Sequence, residues 1–181
     1  LKEMQVSGLD TARFTQAVTA MLNGETTEMT LGEAQMTVQK FLQEREAEAG
    51  RAAREAGEKF LAENAGKEGI VVLESGLQYE VLTAAIGMKP TAEDSVRCHY
   101  EGRLIDGTVV DSSYRRGEPA TFPLRGVIRG WTEGLQHMAV GSKFRFYIPY
   151  QLAYGAQGAG GSIPPYAALI FDVELLGIEG K

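Results

Sequence analysis

Few of the side chains that usually perform acid–base, nucleophilic or metal chemistry occur in this 181-residue chain, which has one cysteine and two histidines. Cys98 and His99 are neighbours in a predicted strand, so they point to opposite faces and cannot act together as nucleophile and base. A lone cysteine forms no disulfide within the chain, and two histidines alone do not complete a zinc site. We therefore expect Cys98 to be a small core residue, and we expect neither hydrolase chemistry nor a metal or other cofactor.

Asp111 is the carboxylate with the most informative surroundings. It lies in a run, residues 109–113, that begins extended and then turns, and Arg115 and Arg116 follow closely. A structural ion pair is the ordinary interpretation of this pattern, and a functional carboxylate is the alternative.

A glycine-rich segment, residues 155–161, superficially resembles a phosphate-binding loop. Its spacing does not fit G-x-G-x-x-G, and Pro164-Pro165 follows where a helix should begin. We interpret the segment as a loop without a nucleotide site.

Aromatic and branched aliphatic residues lie beside predicted turns in the C-terminal part of the chain. Core packing is the default explanation for each of them. Together, Trp131, Tyr154 and the loop at residues 163–165 could instead line an apolar cleft with hydroxyl groups, the usual form of a small-ligand or peptide pocket.

A β-rich domain must position these residues. Residues 144–148 and 168–176 alternate apolar residues with others, and residues 76–82 and 95–105 also carry strand signals. Asp106-Gly107 is typical of a hairpin turn, and residues 131–138 form the one plausible helix. The pattern predicts an α+β domain over residues 76–181, with a curled antiparallel sheet wrapped on one short helix.

The first 66 residues contain no proline and predict an all-α arm, with apolar residues at helical spacing. A first helix would begin after the possible cap Asp10 and stop at Asn23-Gly24. Its apolar face consists of Phe14, Val18, Met21 and Leu22.

The second predicted helix begins with Thr30 and Glu33 as a capping box and continues to about residue 66, before a connector at residues 67–75. Its first half carries an apolar stripe made of Leu31, Ala34, Val38, Phe41 and Leu42. Residues 45–59 offer only alanine and glycine among charges, so we expect solvent exposure there. Gly50 and Gly57 could let this stretch bend.

Two short amphipathic stripes cannot bury each other well, so the arm favours pairing with a second copy of the chain. The alternative is that the helices fold back on the β-rich domain.

The net charge of −6 disfavours a sequence-independent nucleic-acid partner and favours a polypeptide or small molecule. No stretch approaches the roughly 20 apolar residues that span a bilayer, so no membrane span is expected. We expect the cytoplasm as the compartment. The periplasm is the alternative, because the chain starts at Leu1 and not at methionine, and a removed leader could precede it.

Six segments of the β-rich part resemble the signature of the FKBP-type peptidyl-prolyl cis/trans isomerases, in order and with the family's spacings. They are Cys98-His-Tyr-Glu-Gly102, Gly107-Thr-Val-Val-Asp-Ser-Ser113, Val127-Ile-Arg-Gly-Trp-Thr-Glu-Gly134, Tyr154-Gly155, Ile163-Pro-Pro165 and Leu169-Ile-Phe-Asp-Val-Glu-Leu175. The resemblance covers roughly residues 76–179. The arm is similar to that of the bacterial subgroup that includes the macrophage infectivity potentiator proteins, whose members are V-shaped dimers with intertwined arms.

The resemblance implies an FKBP-like fold and an isomerase that assists protein folding without covalent chemistry. It implies a homodimer through the N-terminal helices, with proline-containing peptides, unfolded protein clients and the family's macrolide inhibitors as partners. Its catalytic residues would be Tyr100, Asp111, Ile128, Trp131, Tyr154 and Phe171. Its substrate-binding residues would be Val110, Val127, Ile163 and Arg116.

In these implied roles, Trp131 is the floor of a proline pocket, and the N–H of Ile128 holds a substrate carbonyl. Asp111 lies at the pocket edge, tied to Arg116.

Three positions depart from the family pattern. Val110 stands where phenylalanine is usual, Ala120 where an aromatic residue is frequent, and Ala159 where some members have histidine. A smaller wall at Val110 should loosen the grip on the prolyl ring. Two alternatives therefore stay open: a chaperone or peptide-binding module with weak or no isomerase activity, and a binding protein for macrocyclic ligands.

Overall fold

The computed structural model of the chain describes residues 11–24 and 31–181. Two helices come first: α1 is Thr11–Leu22 and α2 is Leu31–Ala65. The predicted caps Asp10 and Thr30 lie outside the described residues. None of the described helices is both long enough and apolar enough to cross a membrane.

The chain divides into two compact units, one ending at Arg45 and the other beginning at Glu46. The division falls inside α2, so the C-terminal half of this helix belongs to the unit that also holds the sheet. In the first unit, large apolar side chains stay exposed to solvent on both helices. Those exposed by more than half are Leu22, Met36 and Val38.

The second unit contains seven strands. They are β1 (Ile70–Val72), β2 (Gln78–Thr83), β3 (Ser95–Leu104), β4 (Val109–Ser112), β5 (Ala120–Pro123), β6 (Lys143–Ile148) and β7 (Leu169–Ile178). The strand order is β1-β2-β6-β7-β3-β4, and β5 pairs with β3. Every described pairing is antiparallel. Two short α-helices also belong to the unit: α3 is Ser113–Arg116 and α4 is Arg129–Gly134. Three 3₁₀ helices complete it: Leu124–Gly126, Leu135–His137 and Tyr150–Leu152. The helix predicted at residues 131–138 corresponds to α4 and the 3₁₀ helix that follows it, whereas α3 was not predicted.

The core lies between α4 and one face of the sheet, which confirms the predicted α+β class. The apolar positions of β6 and β7 are buried as their alternation predicts, and Cys98 is fully buried. Helix α4 can lie flat on β6 because two of its residues lack a side chain. A Cβ at Gly130 would be 2.6 Å from the Ile148 Cγ2 atom, and one at Gly134 would be 2.6 Å from the Phe146 Cε1 atom.

The C-terminal half of α2 packs within this second unit, which corrects the prediction that residues 45–59 are exposed all round. Gly50 and Gly57 are buried, and Asn64 is fully buried one heptad further on. A Cβ at Gly57 would be 3.1 Å from the Ala168 Cβ. These glycines therefore permit close approach to a neighbouring segment, a function other than the predicted bending.

Asn64 connects the end of α2 to β2. Its Nδ2 donates to Gln78 Oε1 at 3.0 Å, and Gln78 Nε2 donates to the Leu61 carbonyl at 2.8 Å. Gln78 is itself 4% exposed. The pair provides partners for Asn64 Nδ2 and for both polar atoms of the Gln78 amide, whereas the buried Asn64 Oδ1 has no hydrogen-bond partner in the described part of the chain.

Candidate active site

Trp131 is the centre of an aromatic cluster on the inner face of the sheet. It lies in the first turn of α4, where its backbone N–H donates to the Ile128 carbonyl at 2.9 Å. Three rings stand nearly perpendicular to the indole: Tyr100 at 5.1 Å, Phe122 at 5.5 Å and Phe171 at 5.4 Å between centroids. Such edge-to-face contacts are favourable for aromatic rings and fix their orientation.

The indole itself is 4% exposed. Its Nε1 is buried and has no hydrogen-bond partner in the described part of the chain. Packing alone therefore fixes the indole, and the surrounding rings determine its position.

Tyr100 is held at its other end by a charged network. Its hydroxyl donates to Asp111 Oδ2 at 2.5 Å and accepts from Arg116 Nη2 at 2.7 Å. Arg116 also forms an ion pair with Asp111, and its guanidinium lies 5.4 Å from the centre of the Tyr100 ring. The structural ion pair predicted for Asp111 is thus present, and it includes Tyr100.

Local structure brings Arg116 back to Asp111. Asp111 pairs with Gly102 across β3 and β4, and the chain then enters α3, where Ser112 Oγ accepts from the Arg115 N–H at 3.4 Å. The helix ends after one turn at Gly117, whose φ of 79° favours glycine. A single turn of helix places Arg116 over the end of β4.

The network sets the charges at this edge of the cluster. Burial, helped by the hydrogen bond to Asp111, raises the pKa of Tyr100 to about 12. Burial also acts to raise the pKa of Asp111, but hydrogen bonds from Tyr100 and Arg116 outweigh it and hold the pKa below its ordinary value. At neutral pH the tyrosine is therefore neutral and the carboxylate charged, so neither group is suited to proton transfer.

The other predicted wall residues differ in how closely they join the cluster. Val127, Ile128 and Ile163 are half-buried and pack against the core that contains Trp131. Tyr154 is 39% exposed, and its pKa is raised by burial and by the charge of Asp111. Val110, in β4, is half-buried. Among the described residues, neither the Ile128 N–H nor the Tyr154 hydroxyl has an acceptor, so both donors are available to a ligand.

Sequence reasoning missed Phe122 and Ser113. Phe122 in β5 packs on both Trp131 and Tyr100, two residues after Ala120, where the family often has an aromatic residue. In the structure Ala120 and Phe122 are half-buried while Thr121 and Pro123 are exposed, but the segment Ala-Thr-Phe-Pro is too short for the sequence alone to show this alternation.

Ser113 fixes the backbone of Tyr100. Its Oγ accepts from the Tyr100 N–H at 2.8 Å and lies 2.9 Å from His99 Nδ1. His99 stacks on Tyr114 at 4.7 Å.

Cys98, by contrast, is in the core, where burial raises its pKa to about 12. The predicted separation of cysteine and histidine onto opposite faces is confirmed.

A separate cleft of about 450 Å³ lies between the C-terminal half of α2 and the segment at Pro149-Tyr150. Most of its lining is glycine, alanine and other apolar side chains, and its buried polar residue, Gln78, is already paired. The Trp131 cluster is the better candidate site, because it combines apolar walls with free donors and a charged edge.

Comparison with known families gives two matches that together span most of the chain. Residues 87–176 match the family described as FKBP-type peptidyl-prolyl cis-trans isomerase. Residues 2–81 match the family described as the domain amino terminal to FKBP-type peptidyl-prolyl isomerase.

Individual proteins are similar over the same regions. A probable FKBP-type peptidyl-prolyl cis-trans isomerase FkpA of Neisseria meningitidis is 48% identical over 98% of this chain and 69% of its own length. A Legionella longbeachae protein named outer membrane protein MIP is 49% identical over 68% of this chain and 53% of its own length. The crystal structure of FkpA from Escherichia coli superposes with a TM-score of 0.82 at 35% identity, covering 98% of this chain and 85% of that one.

Proposed function

The chain belongs to the FKBP-type peptidyl-prolyl cis-trans isomerases, which assist protein folding, and from this premise we propose that the Trp131 cluster is where the X–Pro bond is rotated. The observation that carries the proposal is the set of three rings standing nearly perpendicular to the indole. The rings enclose an apolar floor, and the Ile128 N–H and Tyr154 hydroxyl, unpaired among the described residues, are the donors beside it.

The reaction needs no acid, base or nucleophile. Resonance places charge on the oxygen and nitrogen of a planar amide and gives a rotation barrier of roughly 18–20 kcal/mol. Twisting the bond removes that charge separation. A site that excludes water therefore favours the twisted amide over the planar one, and each tenfold gain in rate requires about 1.4 kcal/mol of such preference.

Each residue of the site has a separate role in binding the substrate. Trp131 and Phe171 form the apolar floor and wall for the prolyl ring, and Tyr100 closes the edge, where Asp111 and Arg116 fix its hydroxyl. The free N–H of Ile128 binds the substrate carbonyl, and the Tyr154 hydroxyl offers a second donor. Val110, Val127 and Ile163 complete the walls. Val110 is smaller than the usual phenylalanine, and this leaves a looser fit on that side.

The two family matches support the proposal of further partners. The substrates are proline-containing peptides and unfolded protein clients, and macrolide inhibitors compete for the same pocket. The exposed apolar residues of the first unit support a homodimer through the N-terminal helices. The name of the Legionella longbeachae relative favours the periplasmic alternative over the cytoplasm as the compartment.

The proposal is tested by prolyl turnover in a protease-coupled peptide assay. Asp111→Ala is expected to lower kcat/KM about tenfold, the effect of losing roughly 1.4 kcal/mol of transition-state stabilisation. Asp111 is half-exposed, so the variant should fold. Trp131→Ala should lower turnover further, although loss of this buried ring also costs about 3–5 kcal/mol of stability.

Asp106→Ala is the matched control, because Asp106 is an exposed carboxylate on the β3–β4 turn, away from the cluster. Its turnover should equal that of the unmodified chain. Full activity in Asp111→Ala would show that the charged network of Asp111 and Arg116 does not contribute to turnover. If Trp131→Ala, shown to be folded, were also fully active, the pocket assignment would be wrong.

A further inference from the structure

Tyr166 has an unusual backbone for a large residue. Its φ is 59°, and it is the one non-glycine residue with positive φ in the part of the chain that the structure describes. Bulky side chains rarely adopt this conformation, which persists where the surroundings enforce it. Tyr166 also follows directly on the loop that carries Ile163, a proposed pocket wall.

Helix α2 lies against the Tyr166 side chain. A Cβ at Gly50 would be 3.1 Å from Tyr166 Cδ2 and 3.6 Å from Pro165 Cβ, so the ring and the proline lie directly against the helix backbone. The Tyr166 ring also packs on Tyr150, with 5.2 Å between centroids. One turn along α2, the Arg54 guanidinium lies 5.8 Å from the centre of the Tyr150 ring. The helix therefore contacts both tyrosines.

Tyr166 in turn closes the base of the loop. Its N–H donates to the Gly155 carbonyl at 2.9 Å, and the Gly155 N–H donates to the Tyr150 carbonyl at 2.9 Å. Higher in the loop, Ala159 and Ile163 exchange two backbone hydrogen bonds of 2.9 and 3.0 Å. Tyr154 and Ile163 thus lie on one hydrogen-bonded loop, and Tyr166 is at its base.

The helix is fixed in register against this region. Gly50, Gly57 and Asn64 recur every seven residues, or about two helical turns. Gly57 lies against Ala168, and Asn64 is hydrogen-bonded to Gln78. The anchors at Gly57 and Asn64 hold the helix at the position from which Gly50 contacts Tyr166.

We propose that the C-terminal half of α2 is a positioning element of the isomerase site. By seating Gly50 against Tyr166, it fixes the loop that carries Tyr154 and Ile163 and so sets how tightly the pocket grips the prolyl ring. The inference rests on the proposed function, because it takes Tyr154 and Ile163 as pocket walls. Gly50 and Tyr166 are positioning residues that act through them.

The test uses the full chain with Gly50→Leu and Tyr166→Ala. Both should raise KM for a proline peptide about fivefold with little change in kcat, equivalent to roughly 1 kcal/mol of binding. Amide hydrogen exchange at Gly155 and Ile163 should become faster, whereas exchange in the central strand β7 should not change. Exchange in β7 shows that the variants fold.

The chain offers matched controls. Ala52→Leu adds a leucine to an exposed position of the same helix half, and Tyr166→Phe keeps the ring. Both should retain the KM and the loop exchange of the unmodified chain. In the double variant Gly50→Leu with Tyr166→Ala, the leucine occupies space left by the ring, so the combined rise in KM should be smaller than the product of the two single effects.

Loop exchange in Gly50→Leu that equals exchange in Ala52→Leu would overturn the inference. Faster exchange with unchanged KM in an active enzyme would also overturn it, because the loop would then move without affecting substrate. An unmodified chain without prolyl turnover would instead refute the proposed function. The exchange data would still show whether α2 fixes the loop, so the two failures are distinguishable.

Discussion

The two halves of α2 differ in which side chains they bury. Residues 31–45 carry the apolar stripe, yet the described members Val38, Phe41 and Leu42 are 54%, 39% and 38% exposed. Residues 46–65 are rich in charges, alanine and glycine, yet Gly50, Gly57 and Asn64 are buried. The half that looks apolar is exposed, whereas the half that looks polar is packed along one face.

The difference separates two meanings of a sequence pattern. An apolar stripe identifies a surface that needs a partner, and that partner can be another molecule. Small residues at heptad spacing identify a surface where backbones approach closely within one folded unit. The hydrophobicity of a sequence predicts a surface that needs a partner, but it does not predict a surface where backbones approach closely.

The largest expected effect concerns the exposed half. We expect the unmodified chain to sediment with twice its single-chain mass of 19.6 kDa at micromolar concentration. Val38→Glu combined with Phe41→Glu should give monomers, because pairing would then bury unpaired charges. Turnover of small peptides should be unchanged, since the Trp131 cluster lies in the second unit.

Gln43→Glu combined with Ala47→Glu adds the same charge at exposed positions of α2 away from the apolar stripe and should remain dimeric. A monomeric unmodified chain, or a dimer that survives Val38→Glu with Phe41→Glu, would contradict pairing through the apolar stripe. In either case the comparison between the two halves would need another explanation.

A smaller effect is expected in the packed half. Gly57→Leu should lower the free energy of unfolding by about 1–3 kcal/mol, because the added side chain meets Ala168 and its backbone. Ala56→Leu, next to it on an exposed position, should be nearly neutral. Urea denaturation measures both, and equal stability of the two variants would show that the close approach at Gly57 is unimportant.

The smallest effect is expected at the end of the helix. Asn64→Ala leaves the buried Gln78 side chain short of a partner and should cost about 1–2 kcal/mol of unfolding free energy. Glu63→Ala removes only an exposed ion pair with Lys59 and should cost less than about 0.5 kcal/mol. A neutral Asn64→Ala would mean that the Asn64–Gln78 pair adds little to the seating of α2.

Much of the fold and part of the site were predictable from the sequence. Alternation marked the buried faces of β6 and β7, and the family motifs identified Trp131, Tyr100 and Phe171, which the structure brings into one cluster. Phe122 was missed because its four-residue strand is too short for a clear alternation. The link between Gly50 and Tyr166 was missed because no local pattern relates residues so far apart in the chain.

By itself, the sequence determined the two arm helices, the longer strands β2, β3, β6 and β7, the family and the apolar chemistry of the site, because periodicity, turn residues and motifs are local properties of the chain. The short elements β1, α3 and β5 were not predicted. Tertiary structure alone decided which residues meet: the ring of Phe122 on the indole, the hydroxyl of Ser113 on the backbone of Tyr100, and a helix glycine against Tyr166. These contacts depend on how strands and helices pack in space. The sequence shows where a glycine is, but only the structure shows which neighbouring residue occupies the space that a side chain would have filled.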